Sequence, residues 1–414
     1  MTGRDVSVHQ VMATLGYGDA IGNEALGIQR ILRNAGYESR IFVETVEPRL
    51  DDRAEDYRYL LDDSHPDRIL IHHFSIGSRA SRVAFALPDR MILIYHNITP
   101  AHYFLDADLI AKKCYNGRRE LGAYVARCDL ALGDSAFNQA ELDALGFPRT
   151  GVLPVVPDFS HLDVTPQRWL AQPFDDDSTN ILFVGRIVPN KRIDDVIRFF
   201  HAYRTRYNPS SRLLLVGSHT LFDDYRASLA DLIRRLGATN VHLIGHVTDE
   251  ELTSFYDVAD IFLSASEHEG FCVPLIEAFH KRIPVIAFAA AAVPATMDGG
   301  GILYEHKDPR HVAALINTVL TDPTLEQEIL ASQDEALDRL RARDFAGTLL
   351  GFVERVRKGP RLPRCRVAPN FWKQLDLLER LDELRVFRPS IFRALPEPTG
   401  DRKSQHVVSL DSTK

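Results

Sequence analysis

The chain predicts an α/β protein built from two parallel-sheet domains. Short apolar runs bounded by glycine or proline alternate with segments of helical periodicity, the pattern of strand–helix–strand units. One such series lies before residue 158 and a second after residue 179. The stretch between them is rich in proline and aspartate and ends Asp175-Asp176-Asp177-Ser178-Thr179, a composition shift that marks a boundary.

The first series opens with a strand over Val6–Ala13 and a glycine-rich turn, Leu15-Gly16-Tyr17-Gly18-Asp19-Ala20-Ile21-Gly22-Asn23. A helix follows, with Ala25, Ile28, Ile31, Leu32 and Ala35 at helical spacing and Gly36 as its stop. Arg40-Ile41-Phe42-Val43 is the next strand, ending near Glu44. Arg68–His73 and Met91–Tyr95 are further strands, and each ends in histidine: His72-His73 and His96. Ligands of open parallel sheets sit at such carboxyl ends. Residues 111–127 form a basic, partly amphipathic helix. Its cations suit an anionic membrane or an anionic acceptor, and a merely solvated face accounts for the same pattern. Asp129–Gly133 is a strand leading to a helix capped by Ser135, and Val152–Pro157 is a short strand before the boundary.

The second series opens with Asn180–Arg186 and continues Ile187-Val188-Pro189-Asn190-Lys191. Strands at Arg212–Gly217 and Val241–Gly245 follow, with a helix between them ending at Gly237 and a Thr248/Glu251 capping box after them. Asp260–Ser264 and Ile283–Phe288 are the next strands. Between those two lies the stretch with the most chemistry, Ser266 to Glu277. Pro274 suits the first turn of a helix, whose free N–H groups attract anions. Glu269 lies in the turn and Glu277 within the helix. Arg186 and Lys191, five residues apart in another strand-to-helix turn, supply two cations that suit a diphosphate.

Composition narrows the classes. The 414 residues are 45% hydrophobic and 26% charged, ordinary for a globular chain of two or three domains. A net charge of −8 gives no support for nucleic-acid binding. Cys114, Cys128, Cys272 and Cys365 are widely spaced, which argues for a reducing compartment and against zinc or a disulfide framework. No signal-peptide pattern opens the sequence and no 18-residue apolar run occurs, so the expectation is a cytoplasmic protein, with room for peripheral contact at the inner face of a membrane.

Glu269 and Glu277 enclose seven residues, with Ser266 before them and Gly270-Phe271 and Pro274 between. This resembles the E-x7-E signature of retaining GT-B glycosyltransferases, specifically glycosyltransferase family 4 (glycosyl transferases group 1). Gly185-Arg186 followed by Lys191 resembles the family's diphosphate clamp, and His96 matches its histidine facing the transferred sugar. The resemblance implies two Rossmann-like domains facing across a cleft. The acceptor-side domain is then 1–157, the linker 158–179, and the nucleotide-sugar-binding domain 180–345. Helices over 346–397, including Phe371–Leu384, cross back to the first domain, and 398–414 is a disordered tail.

The implied activity is transfer of a hexosyl group, of the GDP-mannose or UDP-glucose type, to a carbohydrate or lipid-linked hydroxyl in polysaccharide or glycoconjugate assembly. Glu269, Arg186, Lys191 and His96 take the catalytic roles. Gly22, Asn23, His73, Gly185, Val247, Gly270, Phe271, Cys272, Val273 and Glu277 bind substrate, Glu277 through the ribose. No metal, cofactor or covalent nucleophile is expected. The sequence departs from the family pattern at the first turn, where Ala20-Ile21-Gly22-Asn23 replaces Gly-Gly, at Arg282 where glycine is usual, and at Ala295 where glutamate is usual.

Two other classes stay open. Gly16, Gly18 and Gly22 spell G-x-G-x-x-x-G, one residue longer than the dinucleotide fingerprint, and Glu44 lies about 20 residues on, where a ribose-binding acid belongs. That is an NAD(P)-dependent oxidoreductase reading. The third class is a non-catalytic nucleotide-sugar binder. The aspartates at 175–177 also admit a D-x-D metal motif, although a polar linker accounts for them more simply.

Overall fold

The computed structural model describes residues 7–16, 19–155, 159–362, 385 and 389–394. Val6, Tyr17, Gly18, Val156, Pro157, the expected helix at 371–384 and the tail at 398–414 lie outside the described residues. Compact packing divides the chain after Arg364. The first unit holds two all-parallel sheets. Of the second, the six-residue helix Pro389–Ala394 is described.

The first sheet has seven strands: β1 Val8–Leu15, β2 Ile41–Val46, β3 Glu55–Asp56, β4 Ile69–Phe74, β5 Arg90–Tyr95, β6 Leu130–Gly133 and β7 Thr150–Val152. Their order is β3-β2-β1-β4-β5-β6-β7. The second has six: β8 Thr179–Val184, β9 Ser211–Val216, β10 Val241–Gly245, β11 Ile261–Ser264, β12 Val285–Phe288 and β13 Ile302–Tyr304. Their order is β10-β9-β8-β11-β12-β13. Both orders reverse once, between β1 and β4 and between β8 and β11. Such a switch point opens a crevice at the strands' carboxyl ends, because the connections on its two sides leave in opposite directions. The helices that follow are α1 Ala20–Asn34, α2 Leu60–Asp63, α3 Arg79–Ala86, α4 Asp108–Ala123, α5 Ala136–Leu145, α6 Ile193–Arg206, α7 Asp223–Leu236, α8 Asp249–Asp257, α9 Val273–His280, α10 Val293–Met297, α11 Pro309–Thr321, α12 Pro323–Arg341 and α13 Phe345–Lys358.

Central strands are buried on both faces, which is why β4 is apolar up to His72 and β5 is apolar from Met91 on. Local signals place several helix ends: Ser135 accepts from the Asn138 N–H, Thr248 and Glu251 form a capping box, and Gly36 and Gly237 take left-handed φ of 86° and 60°. Arg282 also takes a left-handed φ, 55°. A glycine there carries no side-chain penalty, and Arg282 is instead anchored by an ion pair to Asp334.

Four expectations shift. Strand β1 runs on to Leu15 rather than ending at Ala13, because Leu15 is as buried as Val8 and Val11. Strand β7 stops at Val152. Gly22 and Asn23 are not in the first turn but inside α1, since the Asp19 carboxylate caps the helix from before them. Residues 159–174 are not a solvated linker: Phe159, Leu162 and Ala171 are buried in one core of the second sheet, with Leu275, Ile276 and Phe279 of α9. Near the end of the unit, α13 returns to the first sheet, where Leu349, Val353 and Val356 pack on Val8, Ile69 and Ile92.

Candidate active site

The two switch points bring four strand ends together. His73 is the last residue but one of β4, His96 follows β5, Arg186 follows β8, and Glu269 follows β11. Gly185 and Gly217, both at φ 147°, allow the ends of β8 and β9 to touch: a Cβ on Gly217 would lie 1.9 Å from the Gly185 oxygen.

The 266–272 loop is held from three sides. Buried Asn190 donates to the His268 carbonyl at 3.0 Å and accepts, through its own carbonyl, from the Glu267 N–H at 2.9 Å. The Ala292 N–H donates to Glu269 O at 3.3 Å, and the Thr296 hydroxyl donates to Phe271 O. Cys272, at φ 77°, then starts α9, with Pro274 as the second residue of the helix rather than the first. The N–H groups of Phe271, Cys272 and Val273 therefore stand at a helix start, where no intrahelical carbonyl is available.

Lys191 ends the one-turn helix Pro189–Lys191, and its Nζ donates to both Glu269 oxygens, at 2.5 and 2.6 Å. Burial opposes the lysine's charge, yet Glu269 outweighs it and holds Lys191 above the ordinary lysine range. Arg186 behaves differently. It is exposed, no carboxylate pairs with it among the described residues, and its guanidinium lies 5.8 Å from the Phe222 ring centroid. Asp19 feels it from the first domain: burial raises the Asp19 carboxyl, opposed by the Gly22 N–H, His96 and Arg186.

His96 is buried and engaged at both ring nitrogens. Nε2 meets His73 Nδ1 at 2.9 Å and Nδ1 meets Asp134 Oδ2 at 3.1 Å, with Glu24 Oε2 3.9 Å away. Burial lowers its proton affinity, but Asp134, Glu24 and Asp19 together raise it to about 9. Glu24 is pushed up to about 8 by burial and by Asp134. No ring N–H of His96 is left for a sugar hydroxyl in this arrangement. Glu24, His96 and Asp134 hold donor atoms within 4.8 Å of one another, a spacing that suits a cation and one that occurs nowhere else among the described residues.

Glu277, within α9, is 6% exposed. Tyr256 donates to one of its oxygens at 2.7 Å, and His161 Nε2 meets the other at 2.9 Å. Val247, after β10, is half-buried against the same core. The two domains touch directly: Asn97, at φ 67°, accepts from His268 Nε2 at 2.6 Å, and a Cβ on Gly270 would lie 2.8 Å from Asn97 Cβ. Glycine at 270 is thus what lets the domains close to contact.

Some predicted residues stand apart. Gly22 is buried, with its N–H on the Asp19 carboxylate, and a Cβ there would meet the Gly16 oxygen at 2.6 Å, so it serves close packing. Glu44 receives Arg79 at 2.8 Å and caps α3 through the Arg79 and Ala80 N–H groups, which removes the ribose-binding acid of the dinucleotide reading. Asp176 pairs with Arg212 on β9. Arg118 of the basic helix points inward to Ile98 O and Glu141, while Leu109 and Lys113 stay exposed. No helix among the described residues is long and apolar enough to cross a membrane. Sequence reading did not single out Glu24, Asp134, His161 or Asn97. Asp134 and Asn97 lay in stretches already read as strand ends, but Glu24 and His161 carry no local signal.

Residues 170–334 match the model of the family described as glycosyl transferases group 1. Among curated relatives, a D-inositol 3-phosphate glycosyltransferase of Kineococcus radiotolerans is 34% identical over 166 residues, covering 36% of this chain and 37% of that protein. The capsular polysaccharide biosynthesis glycosyltransferase CapM of Staphylococcus aureus is 31% identical over 156 residues, 37% of this chain and 40% of that one. The chain thus spans well under half the length of the curated relatives it matches. Among solved structures, Anabaena Alr3699/HepE in complex with UDP and glucose superposes with a TM-score of 0.61 at 17% identity, covering 86% of this chain and 100% of that one. The chain therefore has the GT-B fold, and its residues 170–334 match the family of glycosyl transferases group 1.

Proposed function

We propose that the protein transfers a glycosyl group from a nucleotide-diphosphate sugar to a hydroxyl acceptor, with retention at the anomeric carbon. The observation that carries this is the turn holding Arg186 and Lys191: one cation exposed and, among the described residues, paired with no carboxylate, the other gripping Glu269, beside the start of α9. Negative charge grows on the leaving diphosphate as the sugar–phosphate bond breaks, and donors already fixed at that place stabilise it without reorganising. Arg186, Lys191 and the N–H groups of Phe271 to Val273 would receive the diphosphate. Glu269, relieved of part of its hold on Lys191, would face a ring hydroxyl and the positive charge developing on the sugar. Glu277 would exchange His161 for the ribose hydroxyls.

No carboxylate is required as nucleophile: the departing phosphate oxygen takes the acceptor hydroxyl's proton on the same face. Two cations neutralise the diphosphate, so the reaction should proceed in EDTA. The names of the similar proteins, a capsular polysaccharide enzyme and a structure with UDP and glucose, support a carbohydrate acceptor and a hexosyl donor of the UDP-glucose or GDP-mannose type. The oxidoreductase reading is not favoured, because Glu44 is committed to Arg79.

A thermal-shift screen against GDP-, UDP-, ADP- and dTDP-sugars identifies the donor, since binding to the native state raises stability. NMR of the product then reads the anomeric configuration. A product of inverted configuration, or a donor sugar trapped covalently on Glu269, would overturn the reading.

A further inference from the structure

The buried chain of polar groups behind His96 has a direction. Gln10 Nε2 donates to the Ala25 carbonyl at 3.0 Å. A carbonyl only accepts, so this bond fixes which end of the Gln10 amide is which. Gln10 Oε1 must then accept, and its partner at 2.8 Å, His73 Nε2, must carry a proton. Burial holds the fully enclosed His73 well below the ordinary histidine value, so it is neutral and its other nitrogen, Nδ1, is a lone pair. His96 Nε2, 2.9 Å from that lone pair, must therefore donate. On the other side of the ring, Asp134 Oδ2 at 3.1 Å accepts from Nδ1.

We infer that Gln10 and His73 are positioning residues that hold His96 with a proton on each ring nitrogen, as a fixed positive charge at the crevice. The groups facing His96 come from several elements. Gln10 of β1 and His73 of β4 dictate Nε2. Asp134 after β6, Glu24 of α1 and Asp19 at its cap are the carboxyl groups around it, while His72 of β4, whose own proton affinity the charge on His96 lowers, is the group of opposite effect. Asp134, hydrogen-bonded to Nδ1, stabilises the imidazolium, Glu24 and Asp19 add to this when ionised, and the relay removes the alternative in which Nε2 is a bare lone pair. The catalytic consequence rests on the reading of the site as a glycosyl-transfer site: His96 would act on the transferred sugar and the leaving phosphate through charge, not through a free N–H.

The test needs no turnover. Ring nitrogen–proton NMR of the full chain labelled with ¹⁵N, with His96→Gln to assign the signals, follows His96 through a pH titration. His96 should stay doubly protonated at neutral pH and titrate at least about one unit above the ordinary 6.5, a tenfold higher proton affinity. Gln10→Leu frees His73 to carry its proton on Nδ1, and the proton affinity of His96 should fall about tenfold or more. His73→Asn, whose amide oxygen can replace Nδ1 as acceptor, should preserve it, whereas His73→Leu should not. Circular dichroism checks that each variant is folded. If Gln10→Leu does not fold, the wild-type titration and the two His73 variants decide the matter. A wild-type His96 titrating at or below 6.5, or a midpoint unmoved in folded Gln10→Leu and His73→Leu, would overturn the inference. A doubly protonated His96 in a protein that transfers no sugar would refute the proposed function and leave the relay standing.

Discussion

Lys191 and Glu269, 78 residues apart in sequence, meet in a two-oxygen ion pair at 2.5 and 2.6 Å. The pair ties the turn after β8 to the loop after β11 across the switch point of the second sheet. Its side chains are only 19% and 7% exposed, so neither charge is well hydrated without the other. The resting site thus keeps its carboxylate and one of its cations matched until a ligand divides them.

Arg186 and Lys191 should therefore respond differently to removal. Each alanine variant should lower kcat by roughly 10²–10³, the effect of losing one charge-stabilising donor. Lys191→Ala also strands a buried carboxylate and should cost about 3 kcal/mol of stability. Arg186→Ala strands nothing and should leave the unfolding midpoint unchanged. Steady-state kinetics beside chemical denaturation separate the two, and wild-type rates in either variant would remove these residues from the reaction.

Glu277 lies in α9, held by Tyr256 and His161 rather than by the clamp. A contact made equally in the bound and reacting states shows in KM alone. Glu277→Gln should raise the donor KM about tenfold with little change in kcat, whereas Glu269→Ala should lower kcat by ~10² or more, because its interaction grows with charge on the sugar. A Glu277 variant altered mainly in kcat would contradict this division.

Gly270→Ala tests the contact between the domains. The added methyl would lie 2.8 Å from Asn97 Cβ and 3.3 Å from the His96 oxygen. The cleft can relieve this only by opening, and a displacement of about 1 Å costs on the order of 10² in rate. The expected result is a matching fall in kcat with a larger radius of gyration in small-angle scattering. Unchanged kinetics would mean that the closed contact plays no part in turnover.

Stability should be greatest near neutral to mildly acid pH and fall on both sides. Burial depresses His9 and His268 to about 4 and His72 to about 3. An unfolded chain takes up those protons below its ordinary 6.5, so their contribution is present above that value and lost as pH falls toward 4. His96, raised to about 9 by its carboxylates against burial, has the opposite sign: its contribution is complete below 6.5 and lost as pH rises through 9. Glu24, raised to about 8 by burial, acts in the same sense as His96. Denaturation curves across this range should show His96→Gln flattening the alkaline decline and His268→Gln reducing the acid one. An alkaline limb unaffected in His96→Gln would contradict the assignment.

Much of this protein is written locally. The alternation of buried strands and capped helices, the order of the βα units, Ser135, Thr248 and Glu251 as caps, and the four residues Arg186, Lys191, Glu269 and Glu277 can all be read from near neighbours, because propensity, periodicity and capping act over a few residues. The tertiary structure alone decided what those side chains touch. Which cation Glu269 holds, that His161 shares Glu277 with Tyr256, that Phe159 and Leu162 are core rather than linker, and that residues 10, 24, 73, 96 and 134 form one buried polar chain all depend on strands from distant parts of the sequence lying side by side. Proton positions depend on it most of all, since a histidine takes its charge from the groups that the fold sets against each nitrogen, and those groups are not its neighbours in the chain.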